Sequence, residues 1–201
     1  MNGNKRRKKR FARARLLCLC AFTAAAAETN LLRNGSFETV KPFCRPEDDN
    51  EAAKPFPHWD AAGSWHGSVC AGTLAADGDV SALFTGGGWL SQYAIPVRPG
   101  ARYRITGRMR TRLPLLPAGP EPQPGQTLSW GELGTYGAYV KIDAADKGTL
   151  WARAVSGERP WHTLSGTFTA PAEVTRVTLC IGGYRPGFPV WADDFRLTEE
   201  P

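Results

Sequence analysis

The candidate catalytic groups of this sequence are carboxylates, and no two of them have a sequence spacing that predicts a catalytic pair. Hydrolysis of a glycosidic bond needs two carboxyl groups placed on either side of that bond. The acidic residues in the second half of the chain are scattered, at Glu132, Asp143, Asp146 and Glu158. The sequence has no Gly-x-Ser-x-Gly nucleophile turn and no phosphate-binding glycine loop. We therefore predict a protein that is not an enzyme, with a small glycan-active hydrolase as an alternative.

Histidines and cysteines do not form a metal-binding pattern. The three histidines each lie beside a tryptophan, at His58, His66 and His162, and no Cys/His cluster has zinc spacing. Three cysteines follow residue 27, so at least one thiol stays unpaired. Cys44 and Cys70 lie in loop-like sequence rich in Gly, Pro and Asp, and we predict a disulfide between them. Cys180 lies in an apolar strand pattern, where we expect a buried free thiol.

Residues 1–27 have the pattern of a secretory signal peptide. A basic run at residues 5–10 precedes an apolar stretch at residues 16–27 that ends in four alanines. A stretch of about a dozen residues is too short to cross a bilayer, which needs about 20. We predict cleavage after Ala27 and a secreted mature protein with no membrane anchor. A basic nucleic-acid-binding arm is the alternative, but such arms are not usually followed by an apolar run.

The predicted cleavage changes the charge of the protein. The whole chain has 25 Lys and Arg against 19 Asp and Glu, and eight of the basic residues precede residue 28. The mature chain would then have 17 basic and 19 acidic residues, a net charge of −2. Nucleic-acid binding needs a clustered basic surface, so we predict no nucleic-acid partner. Six arginines, mostly two residues apart, indicate the solvent face of a strand: Arg98, Arg102, Arg104, Arg108, Arg110 and Arg112.

The elements that would position these groups are short strands. Alternating segments bounded by Gly, Pro, Asn and Asp run through residues 28–201, and no long segment has helical periodicity. This pattern predicts one all-β domain, an antiparallel β-sandwich. We predict strands at residues 30–33, 80–85, 89–97, 102–111, 136–144, 151–155, 161–169, 174–182 and 190–197. Residues 41–79 and the proline-rich residues 113–125 are expected to be irregular.

Four segments resemble, in order, those of galactose-binding-like jelly rolls, which include the carbohydrate-binding modules of families 4, 9 and 22. Residues 30–38 read Asn-Leu-Leu-Arg-Asn-Gly-Ser-Phe-Glu, and residues 90–103 run from Leu-Ser-Gln through Arg-Pro-Gly to a tyrosine. Residues 161–171 begin with Trp and end Phe-Thr-Ala-Pro, and residues 190–197 read Val-Trp-Ala-Asp-Asp-Phe-Arg-Leu. The resemblance implies a jelly-roll fold and a non-catalytic module that binds polysaccharide or oligosaccharide.

The resemblance also implies a structural calcium ion held by Glu38 and by an aspartate of the closing strand. Calcium takes six to eight oxygen ligands, and carboxylates with backbone carbonyls suit it. Phe195 and Leu197 should face the core, so Asp193 should point inward and is favoured over Asp194 as the ligand. The alternative is a carboxylate satisfied by backbone N–H groups.

Aromatic residues are the candidate sugar contacts, because sugars present apolar C–H faces between polar edges. Trp161 and Trp191 match structural positions of the family and are expected in the core. Arg110 is a further polar candidate if its strand lines the binding face. The predicted ligand-binding residues are Trp65, Trp89, Gln92, Trp130, Tyr136 and Tyr139. A β-sandwich that binds protein or assembles at a cell surface is the second alternative, and an exposed apolar patch without polar partners would favour it.

Overall fold

The computed structural model of the protein describes residues 28–41, 55–63, 69–85, 87–116, 123, 126–129, 132, 135, 137–183 and 188–201. The predicted signal peptide lies outside the described residues, as do Cys44, Trp65, Trp130 and Tyr136. The described part contains no apolar helix of membrane-spanning length.

In the described part of the chain, ten strands form two five-stranded sheets in which every neighbouring pair is antiparallel. Sheet A has the order β1-β4-β9-β6-β7, with bounds β1 Asp60–Gly63, β4 Gly88–Pro96, β9 Arg176–Gly183, β6 Ala138–Ala144 and β7 Gly148–Val155. Sheet B has the order β2-β3-β10-β5-β8, with bounds β2 Val69–Gly72, β3 Ser81–Phe84, β10 Val190–Glu199, β5 Arg102–Arg112 and β8 Glu158–Thr169. The predicted all-β, antiparallel sandwich is confirmed.

Alternating side chains of the two sheets meet in one core. On β5, Tyr103, Ile105 and Met109 are buried while the intervening arginines are on the outside, as the period of two predicts. Leu179 and Ile181 of β9 contribute to the same core from sheet A. The core therefore lies between the sheets, and each sheet keeps an outer face for other contacts.

The opening segment corrects one predicted strand. Residues 30–33 form no strand, and the chain bends at residues 32–34. The Asn30 side chain makes two of the hydrogen bonds to β10 that a strand backbone would make. Asn30 Oδ1 accepts from the N–H of Leu197 (3.0 Å) and Nδ2 donates to the carbonyl of Phe195 (3.2 Å). Conversely, β1 and β2 lie in residues 41–79, where no strands were expected; each has four residues, rich in Ala and Gly.

A bulge in β10 decides which side of sheet B its residues occupy. The register shifts between Asp193 and Arg196, and Asp194 has φ 47°, so alternation is interrupted there. Ala192 and Phe195 are both in the core, which puts Asp193 and Trp191 on the outer side. The inward direction predicted for Asp193 is therefore wrong, and Trp191 is a half-buried outer residue rather than a core residue.

Candidate functional site

The outer face of sheet A carries an aromatic row across three strands. Leu90 and Ile181 are in the core, so their neighbours Trp89 and Gly182 point outward. Trp89 pairs with Gly182, which pairs in turn with Tyr139 on β6. The structure thus brings two of the sequence-predicted residues, Trp89 and Tyr139, to one row on either side of a glycine.

Tyr139 is buried within this row, whereas Trp89 is half-buried. The Tyr139 residue is 2% exposed, and its ring lies over Gly182, where an added Cβ would stand 2.3 Å from the phenolic oxygen. Tyr139, Leu128 and Ala152 form a small hydrophobic cluster separate from the main core. Tyr139 therefore belongs to the part of the sheet surface on which Leu128 packs.

Residues 126–129, named here the covering segment, are attached to β7. The N–H of Thr149 donates to the carbonyl of Gln126 at 2.9 Å. Thr149 Oγ1 accepts from the N–H of Leu128 at 3.2 Å. Leu128 has no exposed surface, so the covering segment closes the β6–β7 half of the outer face.

A buried ion pair fixes the covering segment from below. Lys141, which is 4% exposed, donates from Nζ to the carbonyl of Leu128 at 3.2 Å. The same Nζ lies 2.6 Å from Asp143 Oδ2, and Asp143 Oδ1 accepts from Thr149 Oγ1 at 2.7 Å. Asp143 thus anchors this loop rather than standing as an unpaired acid.

The β1–β4–β9 half carries an exposed tyrosine that the sequence analysis did not single out. β4 has a bulge between Gln92 and Ile95, with Ala94 at φ 55°. Tyr93 lies on the same side of β4 as Trp89 by alternation and is 57% exposed. The two aromatic residues are about 13 Å apart along the strand at about 3.3 Å per residue. Trp89 and Tyr93 are an even number of residues apart on one strand, and this spacing could have identified Tyr93 as a second residue on the same face.

Polar groups lie between and beside these aromatic residues. Ser91 is on the same side of β4 and pairs with Asp60 on β1. Ser91 Oγ lies 3.4 Å from Cys180 Sγ on β9. Thr178, half-buried, is two residues from Cys180 on the same side. Ser91 and Cys180 are buried, so the accessible polar groups beside the two rings are those of half-buried Asp60 and Thr178.

Gln92 does not share this face. It is 6% exposed and follows Ser91, so alternation directs it to the other side of β4. Its Oε1 accepts from the N–H of Arg33 and its Nε2 donates to the carbonyl of Arg33, both at 2.9 Å. The structure thus gives Gln92 a structural role, holding the opening segment to sheet A, in place of the expected ligand contact.

Glu38 reaches the loop before β3 from the opening segment. Its Oε1 accepts from the N–H groups of Asp79 and Val80, each at 3.1 Å, and its Oε2 accepts from Asp79 at 3.2 Å. Phe37 fixes this geometry because it is fully buried against Phe56 and Trp59.

Asp193 reaches the same loop from β10. Its Oδ2 accepts from the N–H groups of Ala76 (2.7 Å) and Asp77 (3.1 Å), and its Oδ1 accepts from that of Asp194 (2.7 Å). Burial raises the pKa of Asp193, these hydrogen bonds lower it in part, and the negative charge of Glu38 adds to the increase. The two carboxylates thus act on each other across the loop.

The donor set at this loop fits a calcium ion in part. Glu38 Oε2 and Asp193 Oδ1 each accept one hydrogen bond, which leaves a lone pair on each for a cation. The other two oxygens each accept two backbone N–H groups, the arrangement expected without a metal. In the described part of the chain, no three His, Cys, Asp or Glu side chains cluster as a metal site. Calcium therefore stays a prediction.

The structure contradicts the prediction for Cys70 and confirms the prediction for Cys180. Cys70 is a free, half-buried thiol on β2, so the predicted disulfide with Cys44 is not present. Cys70 lies in a strand that pairs with β3 rather than in a loop. Cys180 is a buried free thiol as predicted, and burial raises its pKa to about 11.

Glu132, another acidic residue of the sequence analysis, is hydrogen-bonded to Ser129. Its Oε2 accepts from both the N–H and the hydroxyl of Ser129, each at 2.8 Å, and these bonds lower its pKa. Ser129 Oγ in turn accepts from the N–H of Glu132 at 3.2 Å, a reciprocal capping arrangement. An ionised carboxylate held in this way is suited to capping a turn and not to donating a proton.

Comparison with known proteins establishes the fold. No protein-family model and no curated protein sequence matches the chain. Among solved structures, a family 16 carbohydrate-binding module is 16% identical with a TM-score of 0.53, covering 85% of this chain and 100% of that one. A family 61 module in complex with β-1,4-galactotriose is 19% identical with a TM-score of 0.50, covering 86% and 99%. The chain has the jelly-roll fold of carbohydrate-binding modules.

The same fold occurs in an enzyme. The enzymatically active domain of bacteriophage CBA120 tailspike protein 4 matches with a TM-score of 0.53 at 9% identity over 85% of this chain. The chain spans only 21% of that structure. The fold by itself therefore does not decide between binding and catalysis.

Proposed function

We propose that this protein is a secreted, non-catalytic carbohydrate-binding module that binds polysaccharide or oligosaccharide on the β1–β4–β9 half of sheet A. The observation that carries the proposal is the pair of outward aromatic residues on β4, half-buried Trp89 and exposed Tyr93. Aromatic rings stack on the C–H faces of sugars, and the neighbouring half-buried Asp60 and Thr178 supply polar contacts to hydroxyl groups.

The covering segment limits where a glycan can lie. Leu128 and Ala152 close the β6–β7 half, and Tyr139 is buried beneath Leu128. Contact with sugar is therefore expected at Trp89 and Tyr93, and Tyr139 acts by supporting the face from below.

The partners of the carboxylates support a non-catalytic role. Asp143 is paired with Lys141, and Glu132 is bonded to Ser129. A glycosidase needs one carboxylic acid that keeps its proton near neutral pH and a second carboxylate at about 5–10 Å. Hydrogen bonds from Ser129 lower the pKa of Glu132 and so stabilise its ionised form instead, and Asp143 is held in place by Lys141 and Thr149.

The experiment is retention of the mature protein, from Glu28 onward, on a panel of soluble and insoluble neutral polysaccharides. Trp89→Ala and Tyr93→Ala should each weaken binding by about tenfold or more, as loss of a central aromatic contact does. Phe188→Ala is the matched control, because Phe188 is 41% exposed and precedes a strand of sheet B. Binding by none of the glycans, or equal loss in all three variants, would contradict the proposal.

We further propose that Glu38 and Asp193 hold a structural calcium ion, with carbonyl or water oxygens completing the shell. A bound cation would neutralise the repulsion between these two carboxylates. Calcium should then raise the melting temperature relative to a chelator by about 5 °C or more. Glu38→Gln should lose this increase. Asp194→Asn should keep it, because Asp194 pairs with Arg196 instead. An unchanged melting temperature in the unaltered protein would mean that backbone N–H groups alone satisfy both carboxylates.

A further inference from the structure

The outer face of sheet B, opposite the proposed glycan face, carries a row of outward side chains around one tryptophan. Val190 and Ala192 are in the core, so Trp191 between them points outward. Trp191 pairs with Leu83 on β3 and with Arg110 on β5. Four half-buried outward residues lie in register across four strands, and we name them the Trp191 row: Cys70, Leu83, Trp191 and Arg110.

Arg110 contacts Trp191, and no carboxylate among the described residues pairs with it. Its guanidinium carbon lies 5.6 Å from the centroid of the Trp191 ring, within the range of a cation–π contact. Within the described residues Arg110 makes no ion pair or hydrogen bond. Its five N–H donors are therefore available in a partly buried position and in a fixed fork geometry.

Arginines at and just before the start of β5 have carboxylate partners, whereas Arg108 donates to the carbonyl of Ala76. Arg102 and Arg104 both pair with Glu200, at 2.8 Å and 2.6 Å, and Arg98 pairs with Glu199. The positive charges at the start of β5 are therefore neutralised by Glu199 and Glu200. Among the described residues no carboxylate neutralises the charge of Arg110, so a negatively charged ligand would complement the surface beside Trp191.

Trp161, which is half-buried and not the core residue predicted from the sequence, supplies a second unsatisfied donor beside Arg110. Met109 pairs with His162 and Thr111 with Arg159, so β8 bulges with Trp161 opposite Arg110. The Trp161 Nε1 is buried and has no hydrogen-bond acceptor. A buried N–H without a partner is unfavourable, and a ligand oxygen entering beside Arg110 could supply the acceptor after a small rotation of the ring.

We propose that the Trp191 row binds a carboxylate-bearing sugar residue of an acidic polysaccharide. The Arg110 guanidinium would accept the carboxylate through two parallel N–H···O bonds. Trp191 and Leu83 would pack against the apolar face of the sugar ring. Gly72 has no side chain over this edge of the indole, where an added Cβ would contact Trp191 Cδ1 at 3.4 Å. A flat ring beside a guanidinium fits a uronate better than a flexible acidic peptide. This site does not depend on the one proposed on sheet A.

The test compares polygalacturonate with its fully methyl-esterified form, which has the same backbone without the charge. The mature protein should be retarded in gels containing polygalacturonate and not in gels containing the ester. Arg110→Ala and Trp191→Ala should each weaken binding at least about tenfold. Arg110→Lys should also weaken it, because an ammonium keeps the charge and loses the bidentate geometry. Arg104→Ala is the matched control on the same strand and should stay within about twofold.

Three results would overturn the proposal: no retardation by polygalacturonate, equal losses in Arg110→Ala and Arg104→Ala, or equal binding of poly-glutamate. Loss of polygalacturonate binding in Trp89→Ala would place the site on sheet A and would overturn it as well. A fluorophore on the free thiol of Cys70 gives a local readout, since Cys70 is in the Trp191 row. Its emission should change on binding in the unaltered protein and not in Arg110→Lys.

Discussion

The ring of Tyr139 on β6 lies directly over Gly182 on β9, with no room for a Cβ between them. An added Cβ at position 182 would stand 2.3 Å from the phenolic oxygen and 2.5 Å from the adjacent ring carbon. This contact lets the Tyr139 ring lie flat enough for Leu128 to pack upon it. The aromatic row on sheet A therefore depends on a residue that has no side chain.

Gly182→Ala should destabilise the protein by about 1–3 kcal/mol, because the ring of Tyr139 must move in a packed site. Chemical denaturation measures the change. The double variant with Tyr139→Leu is the control, since leucine lacks the phenolic atoms that the new Cβ would meet. If Gly182→Ala costs the same free energy in both backgrounds, the ring contact is not the cause.

Lys141→Met should release the covering segment. It leaves the carbonyl of Leu128 and the carboxylate of Asp143 without their Nζ partner. Removing one member of a buried pair is costly, and because Asp143 is partly exposed we expect about 1–3 kcal/mol. Lys147→Met is the matched control. Its ion pair with Glu173 is at the surface, where solvent screens such pairs and they contribute little to stability.

Hydrogen exchange gives the local readout for Lys141→Met. The amide hydrogen of Leu128 should exchange faster in this variant and at an unchanged rate in Lys147→Met. Equal exchange of that amide in both variants would show that Lys141 does not hold the covering segment.

Gln92→Glu should lower stability and leave glycan binding intact. Glutamate keeps an acceptor for the N–H of Arg33 and loses the donor to its carbonyl, which should cost about 1–3 kcal/mol. Gln123→Glu is the control, because Gln123 is exposed and should change stability by less than about 0.5 kcal/mol. A folded Gln92→Glu protein that no longer binds glycan would restore Gln92 as a ligand contact.

The two described cysteines should differ in reactivity. Burial raises the pKa of both thiols, for Cys180 to about 11 from an ordinary 9.0. At pH 8, iodoacetamide should modify half-buried Cys70 well before buried Cys180, and denaturant should remove the difference. Peptide mapping by mass spectrometry measures both rates. Equal rates in the folded protein would contradict the burial of Cys180.

The same pKa difference makes stability depend on pH. The folded state favours the protonated Cys180 thiol, so this contribution is fully present below pH 9. It is lost as the pH rises from 9 to about 11. Cys180→Ala should remove that part of the alkaline decline in the melting temperature. An identical decline in the variant would assign it to other groups.

The alternation of apolar and polar residues was sufficient to predict a strand, and the direction of its side chains, wherever the strand is long and has one face in the core. The arginines of β5 lie outside and Ile105 and Met109 lie inside because a strand has a period of two. Phe195 and Leu197 are in the core for the same reason. β1 and β2 escaped prediction because four residues rich in Ala and Gly have no measurable alternation. Their existence depends on pairing with β4 and β3.

The sequence by itself thus determined the all-β class and most strands. Tertiary structure alone decided that Tyr139 is buried, that Gln92 bonds to Arg33, and that Asp193 lies outside sheet B under a loop. The physical reason is that these outcomes depend on bulges and on a loop distant in sequence. A bulge reverses the parity of every residue after it, and the covering segment buries residues that alternation alone leaves exposed.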